Sequence, residues 1–359
     1  MGKRIGFFIS DPKWKNYQRW TYNAAKALYS EGYDVVVIAP GKSRLYTRLK
    51  GYGIQTIRFN KSGFLLWDVK KLSKTCKRYG VDNLIINYPG DIRIATLTAR
   101  NHTLDKLVFR RGTIPVKSKN ALDSYLARNY ITTVITNSKA NKQAIVGSQS
   151  SVFKDLPVEV VYNGIQDKSL ETNTEGVDYH HNGELIVGLS NCAANRTFCK
   201  RFFDYVKEAG IDKEEVKFLI FPDWKRGSSF YGEIKQISLN GVVRFSNQER
   251  RLSDFMSKVD VYLSPVVENS FNYSLIYAMA QRKPVIGFRG GSNPEIIGDH
   301  ENGFLVKENN FDGLIQKIEA LKDDNLREKM GEKAFQTIQH TFNYRHSANQ
   351  LRRIFNTAG

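Results

Sequence analysis

The polar turn at residues 267–272 is the first place in this 359-residue chain where residue types and spacing suggest chemistry. A short apolar run ending at Ser264 and Pro265 precedes the turn, and a helical pattern over about 273–281 follows it. A helix that begins at the carboxyl end of a strand presents unpaired backbone N–H groups and the positive end of its dipole, and both favour a bound phosphate. The pattern predicts a diphosphate site at this turn.

A cluster of cations follows the apolar run 185–189. Arg196, Lys200 and Arg201 lie at the start of a helical pattern, and three cations are more than a helix start needs for solubility. A guanidinium group can hydrogen-bond two oxygens of a phosphate at once, and an ammonium group can pair with its charge. We therefore expect these side chains to contact a diphosphate. The alternative is that they are ordinary surface charges.

Two basic segments in the first half of the chain are candidates for an anionic or sugar ligand. Residues 13–20 combine cations with Trp and Tyr, whose faces stack on sugar rings, and Arg110 and Arg111 end an apolar run. We predict an acceptor site from Lys15, Asn16, Arg19, Arg110 and Arg111. Residues 13–20 could instead only cap a helix.

Short apolar runs alternate with helical patterns along both halves of the chain, which is typical of buried parallel strands joined by helical crossovers. The polar stretch 166–183 interrupts this alternation and is predicted to be a linker. His180 and His181 within it could bind a metal, but no Cys or carboxylate stands at a useful spacing, so an exposed loop is favoured. The sequence predicts an α/β protein with two doubly wound, Rossmann-like domains facing across a cleft.

Net charge divides the two halves sharply. Residues 1–165 hold 28 Lys and Arg against 10 Asp and Glu, whereas the totals of 54 and 36 leave 26 of each for residues 166–359. We therefore expect the first domain to meet an anionic partner, and both an anionic membrane and nucleic acid fit that charge. The segment 63–80 is a basic amphipathic helix that could lie on such a membrane, although packing on the sheet is the simpler explanation.

Composition limits the class of protein. A hydrophobic content of 41% and a mean hydropathy of −0.43 describe a well-packed globular chain, and no apolar run is long enough to cross a bilayer. Three cysteines without metal-ligand spacing suit a reducing compartment. We expect a cytoplasmic protein, peripheral on the inner face of a membrane.

The second half resembles glycosyltransferase family 4. The resemblance rests on an ordered series of motifs: Ser270-Phe271-Asn272, Ala278-Met279-Ala280, Lys283-Pro284-Val285-Ile286, Gly290-Gly291, Glu295 and Asn302-Gly303. In the first half, residues 160–165 are similar to the Asn-Gly strand end that precedes the linker in this family. The resemblance implies the GT-B fold, with residues 1–165 as the acceptor domain, 184–340 as the nucleotide-sugar domain, and a helix within 341–359 that packs back on the first domain.

The chain departs from the family at its pair of glutamates. The positions of the Glu-x7-Glu motif hold Asn269 and Tyr277, and Glu268 stands one place before the first. In the family the first glutamate contacts the donor sugar and the second the ribose. Asn269 can still hydrogen-bond a hydroxyl, but the phenol of Tyr277 cannot accept two ribose hydroxyls as a carboxylate does. Donor recognition is therefore expected to be altered or weakened.

The resemblance also assigns roles to the cations. Leu189 replaces the family's phosphate-binding Arg, Lys200 or Arg201 aligns with its Lys, and Arg196 could supply the missing charge. The predicted catalytic residues are Glu268, Asn269, Arg196, Lys200 and Arg201. The predicted donor-binding residues are Gly188, Ser190, Arg244, Asn272, Tyr273, Ser274, Leu275 and Tyr277.

The expected activity is that of a retaining, metal-independent glycosyltransferase of the hexosyltransferase type, with a UDP- or GDP-sugar as donor and no cofactor or metal. The acceptor is expected to be a lipid-linked or anionic cell-surface glycan. Two alternatives remain: a degenerate GT-B protein that binds or acts as a scaffold without turnover, suggested by Asn269 and Tyr277, and an enzyme that glycosylates DNA. Nucleic acid is the less favoured partner.

Overall fold

The structure is a computed structural model. It describes residues 4–102, 104–112, 121–149, 151–165, 183–192, 194–212, 214–221, 232–233, 241–246, 252–267 and 271–356. Contacts between these residues divide them into two compact units. Unit 1 comprises the described residues up to Asn163 together with Tyr344–Asn356, and unit 2 comprises those within Gly164–Asn343.

The described part of unit 1 is built on a seven-stranded parallel sheet. The strands are β1 (Ile5–Phe8), β2 (Val35–Ala39), β3 (Gln55–Arg58), β4 (Asn83–Ile86), β5 (Lys106–Arg111), β6 (Thr133–Thr136) and β7 (Val158–Val160). The strand order is β3-β2-β1-β4-β5-β6-β7. All residues of β1, β2 and β4 are buried, as expected for central strands covered by helices on both faces.

Helices cover both faces of this sheet. They are α1 (Asn16–Ser30), α2 (Arg44–Gly51), α3 (Leu65–Arg78), α4 (Ile92–Asn101), α5 (Ala121–Tyr130), α6 (Lys139–Val146) and α12 (Tyr344–Asn356). Side chains of α1, α2 and α12 form one core with the sheet, and those of α3 to α6 form the other. The last helix, α12, packs on α1, and Gln350 accepts a hydrogen bond from the backbone N–H of Tyr162 at 2.9 Å.

The described part of unit 2 contains a six-stranded parallel sheet of the order β10-β9-β8-β11-β12-β13. Its strands are β8 (Leu185–Leu189), β9 (Val216–Ile220), β10 (Val243–Phe245), β11 (Val261–Leu263), β12 (Val285–Phe288) and β13 (Gly303–Val306). Its helices are α7 (Arg196–Glu208), α8 (Leu252–Met256), α9 (Tyr273–Met279), α10 (Phe311–Ala320) and α11 (Asp324–Thr341). Aromatic side chains of α7, Phe202 and Phe203, fill the core against β9.

The predicted α/β fold with two doubly wound parallel sheets is confirmed. In both sheets the chain order reverses beside the first strand, between β1 and β4 in unit 1 and between β8 and β11 in unit 2. Ligands of such sheets bind outside the carboxyl ends of the strands at this switch point. The helix predicted over about 273–281 ends earlier, at Met279, and β13 was not among the predicted strands.

Candidate functional site

A buried polar cluster lies at the switch point of unit 2. Ser190, which follows β8, shares a 2.7 Å hydrogen bond with the hydroxyl of Tyr262 on β11 and donates to Ser274 Oγ at 3.2 Å. Asn191 Nδ2 also donates to Ser274 Oγ, at 3.1 Å. The ends of two neighbouring strands are thereby tied to the first turn of α9. We call Ser190, Asn191, Tyr262, Ser264, Asn272 and Ser274 the Ser190 cluster.

Asn272 joins the start of α9 to the end of β11. Its Nδ2 donates to Ser264 Oγ at 2.7 Å, and both side chains are buried. Asn293 Nδ2 donates to the carbonyls of Val266 and Phe288 at 2.9 and 3.1 Å, which fixes the chain just after β11. Of the predicted residues, Ser190 and Ser274 are hydrogen-bonded to each other, and Asn272 joins the start of the same helix to β11.

The remaining predicted residues of α9 differ in exposure. Tyr273 is exposed, Tyr277 is half-buried, and the side chain of Leu275 lies entirely in the core. Leu275 can therefore contact a ligand only through its backbone. Glu268 and Asn269 lie outside the described residues.

The three predicted cations of α7 occupy different surroundings. Arg196 is the first residue of the helix and forms an ion pair with Glu233. Arg201 lies more than one turn further on, where it donates to Asn309 Oδ1 at 3.1 Å and covers the ring of Phe311 at 5.5 Å. Lys200 is exposed. Arg196 is thus the cation at the carboxyl edge of β8, and Arg201 is directed toward the segment before α10.

Two predicted donor-binding residues have other structural explanations. A Cβ at Gly188 would come within 2.6 Å of Val259 and 3.2 Å of Phe255, so close packing explains a glycine there. Arg244 is exposed on the edge strand β10, two strands away from β8. Neither side-chain position belongs to the Ser190 cluster.

The two predicted acceptor arginines of β5 lie on opposite faces of the sheet. Arg110 covers the ring of Trp20 on α1 at 4.7 Å and donates to Asn163 Oδ1 at 3.3 Å. Arg111 covers the ring of Phe153 at 5.4 Å in the other core, and burial lowers the pKa of its guanidinium to about 10. Successive residues of a strand alternate between faces, so the two cations do not form one binding pair.

Lys15, Asn16 and Arg19 are exposed around the start of α1. The neighbouring Trp14 is covered by two arginines of α2, Arg48 at 4.8 Å and Arg44 at 5.8 Å from the ring. The first turn of α1 is therefore held against α2 with its polar side chains exposed.

Sequence reasoning missed Asp91, a fully buried carboxylate at the switch point of unit 1. It accepts hydrogen bonds from the backbone N–H of Ser10, at 2.9 Å, and from the Ser10 hydroxyl, and Lys61 Nζ lies 3.5 Å away. Burial raises the pKa of Asp91 to about 6, although the Ser10 hydrogen bonds and Lys61 oppose that shift. The carboxylate fixes the chain that leaves β1. Its one sequence signal is that Pro89-Gly90-Asp91 stands shortly after the apolar run that ends at Ile86.

A cavity of about 360 Å³ opens between α3, α4 and α5 in unit 1. Its lining is largely apolar, with Phe109 and Phe153 inside and an ion pair between Arg93 and Asp123 that joins α4 to α5. Among the described residues, no group of three His, Cys, Asp or Glu side chains is arranged to hold a metal ion. No helix in the described part of the chain has the length and apolarity needed to cross a membrane.

Two family models match successive parts of the chain. The model of glycosyltransferase family 4 matches residues 18–168, and the model of glycosyl transferases group 1 matches residues 199–337. The matched ranges include β4 and β11 but not β1 or β8, and they include the Ser190 cluster apart from Ser190 and Asn191 themselves.

Similarity to individual proteins extends over most of the chain. The N-acetyl-alpha-D-glucosaminyl L-malate synthase of Bacillus anthracis is 20% identical over 92% of this chain and 91% of its own. The N-acetylgalactosamine-N,N'-diacetylbacillosaminyl-diphospho-undecaprenol 4-alpha-N-acetylgalactosaminyltransferase of Campylobacter jejuni is 24% identical over 77% and 76%. The Anabaena protein HepE, solved in complex with UDP and glucose, superposes with a TM-score of 0.74 at 16% identity, over 99% of this chain and 100% of its own. With its two doubly wound sheets, the chain belongs to the family 4, group 1 glycosyltransferases of the GT-B fold.

Proposed function

We propose that this glycosyltransferase moves a sugar from a UDP- or GDP-sugar to an acceptor hydroxyl, with retention of configuration and without a metal ion, and that unit 2 binds the donor. The observation that carries the proposal is the Ser190 cluster, which gathers hydroxyl and amide groups at the switch point where doubly wound sheets bind ligands. The structure of HepE with UDP and glucose supports a nucleotide-sugar donor.

Arg196 is the residue that we assign to the donor diphosphate. It begins α7 at the carboxyl edge of β8, the strand that Ser190 follows. A guanidinium there would offset negative charge on the departing diphosphate, which is how a transferase without a metal can stabilise its leaving group. Glu233, its partner in the structure, holds the side chain at this edge.

The acceptor is proposed to be lipid-linked or an anionic surface glycan. Unit 1 supplies the positive charge for such a partner, because the excess of Lys and Arg falls within residues 1–165. The Campylobacter jejuni relative supports this class, since its name describes a diphospho-undecaprenol acceptor.

Calorimetric titration of the full chain with a panel of UDP- and GDP-sugars tests the donor assignment. We expect binding of one nucleotide class, and we expect Arg196→Ala to weaken it at least about tenfold, or roughly 1.4 kcal/mol. Lys207→Ala is the matched control, since it removes one positive charge from the same helix at an exposed side chain of its last turn. Its affinity should stay within about twofold of the wild type.

Three results would contradict the proposal. Equal losses of donor affinity in the two variants would mean that donor binding depends on the overall charge of α7 and not on Arg196 in particular. If no nucleotide-sugar binds, the donor assignment is wrong. Binding without any sugar transfer or donor hydrolysis would favour the second candidate, a non-catalytic GT-B protein, for which the replacement of the family's glutamates by Asn269 and Tyr277 is the specific observation.

A further inference from the structure

Three large apolar side chains stand exposed at the start of α3. Phe64 is 71% exposed, Leu66 77% and Trp67 76%. Helices of globular domains normally turn such residues inward, and here the inward positions are filled by Val69, Leu72 and Cys76 instead. We call Phe64, Leu66 and Trp67 the α3 tip. A group of exposed apolar side chains of this size marks a surface that meets an apolar partner.

The exposed face of α3 beyond the tip is entirely basic. Lys70, Lys74 and Lys77 follow Leu66 at helical spacings of four, four and three residues, so they continue one exposed stripe. Lys71 and Arg78 are exposed beside that stripe. An apolar tip followed by a row of cations is the pattern of a helix that lies in the interface of an anionic membrane.

The one acidic side chain of α3 does not weaken this positive face. Asp68 is buried and accepts hydrogen bonds from the backbone N–H of Ser62 at 2.8 Å and from the Ser62 hydroxyl at 3.0 Å. The Ser62 hydroxyl in turn accepts from the N–H of Phe64 at 3.1 Å. These bonds fix the first turn, so the tip is presented on an ordered element and little conformational freedom is lost on contact with a partner.

We propose that α3 docks unit 1 on an anionic lipid bilayer, with the α3 tip inserted among the acyl chains and the lysine stripe against the lipid phosphates. The charge of the stripe selects an anionic surface. The aliphatic side chain of Leu66 beside two aromatic rings favours hydrocarbon over the bases of a nucleic acid, which bind mainly through stacking and phosphate contacts.

Docking at this position would bring the membrane to the cavity of unit 1. Gly63 and Leu65, the neighbours of Phe64 in the chain, both line that cavity. A lipid-linked acceptor held in the bilayer would then reach the carboxyl edge of the sheet by way of the cavity. This last step rests on the proposed function, whereas docking itself does not.

Vesicle flotation of the full chain tests the docking. The probes are vesicles of pure phosphatidylcholine and vesicles with about one third phosphatidylglycerol, each at low and high NaCl. We expect binding to the anionic vesicles alone, weakened by salt. Leu66→Ser combined with Trp67→Ser should reduce binding at least about tenfold without changing net charge. Tryptophan emission should shift to shorter wavelength on anionic vesicles in the wild type and not in this variant, which lacks Trp67.

A charge-matched pair of variants separates the stripe from net charge. Lys70→Glu combined with Lys74→Glu should reduce vesicle binding at least about tenfold. Lys329→Glu combined with Lys333→Glu changes the net charge equally, at two exposed lysines of α11 with the same spacing, and should stay within about twofold of the wild type. Both sites are exposed, so circular dichroism should show native folding in all variants.

The proposal is overturned if the wild type does not bind anionic vesicles, if it binds neutral vesicles equally, or if the tip variant binds like the wild type. It is also overturned if the two glutamate pairs have equal effects. Titration of the tip variant with nucleotide-sugar, without vesicles, keeps the two hypotheses apart. If neither the wild type nor the tip variant binds a nucleotide-sugar but the wild type still binds anionic vesicles, the proposed function is refuted and the docking proposal stands.

Discussion

Asp91 shows how a single buried group can make unit 1 sensitive to pH. Its carboxyl has a pKa of about 6 in the folded protein against an ordinary value of 3.8, because burial disfavours the charged form. Below pH 3.8 both the folded and unfolded states hold the proton. Between 3.8 and 6 the unfolded state releases it first, so the contribution of Asp91 to stability falls as pH rises, and above 6 it is constant.

Asp91→Asn removes this titration and keeps the shape of the side chain. The free energy of unfolding of the wild type, minus that of the variant, should fall by about 2 kcal/mol between pH 4 and 6.5. Urea unfolding followed by tryptophan fluorescence measures it, since Trp14, Trp20 and Trp67 all lie in unit 1. A difference that does not change with pH would show that Asp91 stays ionised in the folded protein.

For the proposed donor site, the sequence predicts that certain residues lie near one another better than it predicts which way each side chain faces. Ser190, Asn272 and Ser274 could be predicted because they follow apolar runs, and parallel strands bring their carboxyl ends together. Arg110 and Arg111 were predicted as one site although consecutive strand residues face opposite ways. Asp91 could not be predicted, since its importance comes from burial against Ser10, 81 positions away in the chain.

In unit 2, α11 and the turn after α9 pack so closely that glycine is favoured over alanine at one position inside α11. Gly331 lies within α11, and a Cβ there would overlap the backbone carbonyl of Arg282, in the turn after α9. Arg282 has a φ of 55° and is held by Glu332 and by the ring of Phe335, so the turn has little room to move.

Gly331→Ala should therefore destabilise unit 2 by about 1–3 kcal/mol, the usual cost of overpacking, although alanine inside a helix is normally favoured over glycine by about 0.5–1 kcal/mol. Gly51→Ala, at the end of α2, is the control, because nothing lies within 4 Å of its added Cβ. Hydrogen exchange of peptides from α9 and α11 measures the change. Unchanged or slower exchange in Gly331→Ala would contradict the contact.

The local sequence pattern predicts which segments form strands and helices, whereas contacts between distant residues decide where those elements lie in the fold. The central strands could be predicted because buried parallel strands are continuous apolar runs, as in β2. No separate sequence signal marks the strand β13, which begins with Gly303, where a Cβ would overlap the carbonyl of Val285 on β12. The sequence predicts a helix within 341–359, and the family resemblance implies that it packs back on the first domain. In the structure α12 lies in the core of unit 1, where Lys106 Nζ donates to the Ile354 carbonyl at 2.6 Å.

Across the whole molecule, the two units differ in charge more than the two halves of the sequence do. Counting α12 and the end of the chain with unit 1 gives that unit 31 Lys and Arg against 10 Asp and Glu, and leaves 23 against 26 for unit 2. Like charges at this density repel one another in the folded unit, a cost that a partner of opposite charge or added salt reduces. Unit 2 has nearly balanced charge, and its described residues form exposed ion pairs such as Arg282 with Glu332 and Arg289 with Asp299.

Salt should therefore stabilise unit 1 more than unit 2. Raising NaCl from about 20 to 300 mM shortens the Debye length to within the spacing of neighbouring surface charges, so unit 1 should gain stability on the order of 1 kcal/mol. Unit 2 should gain nothing or lose slightly, because screening weakens exposed ion pairs. Hydrogen exchange resolved by peptide measures both units in one sample. The Lys70→Glu and Lys74→Glu pair should reduce the gain in unit 1, since it removes positive charge from the repelling set. An equal gain in both units would show that salt acts through general burial and not through the uneven charge.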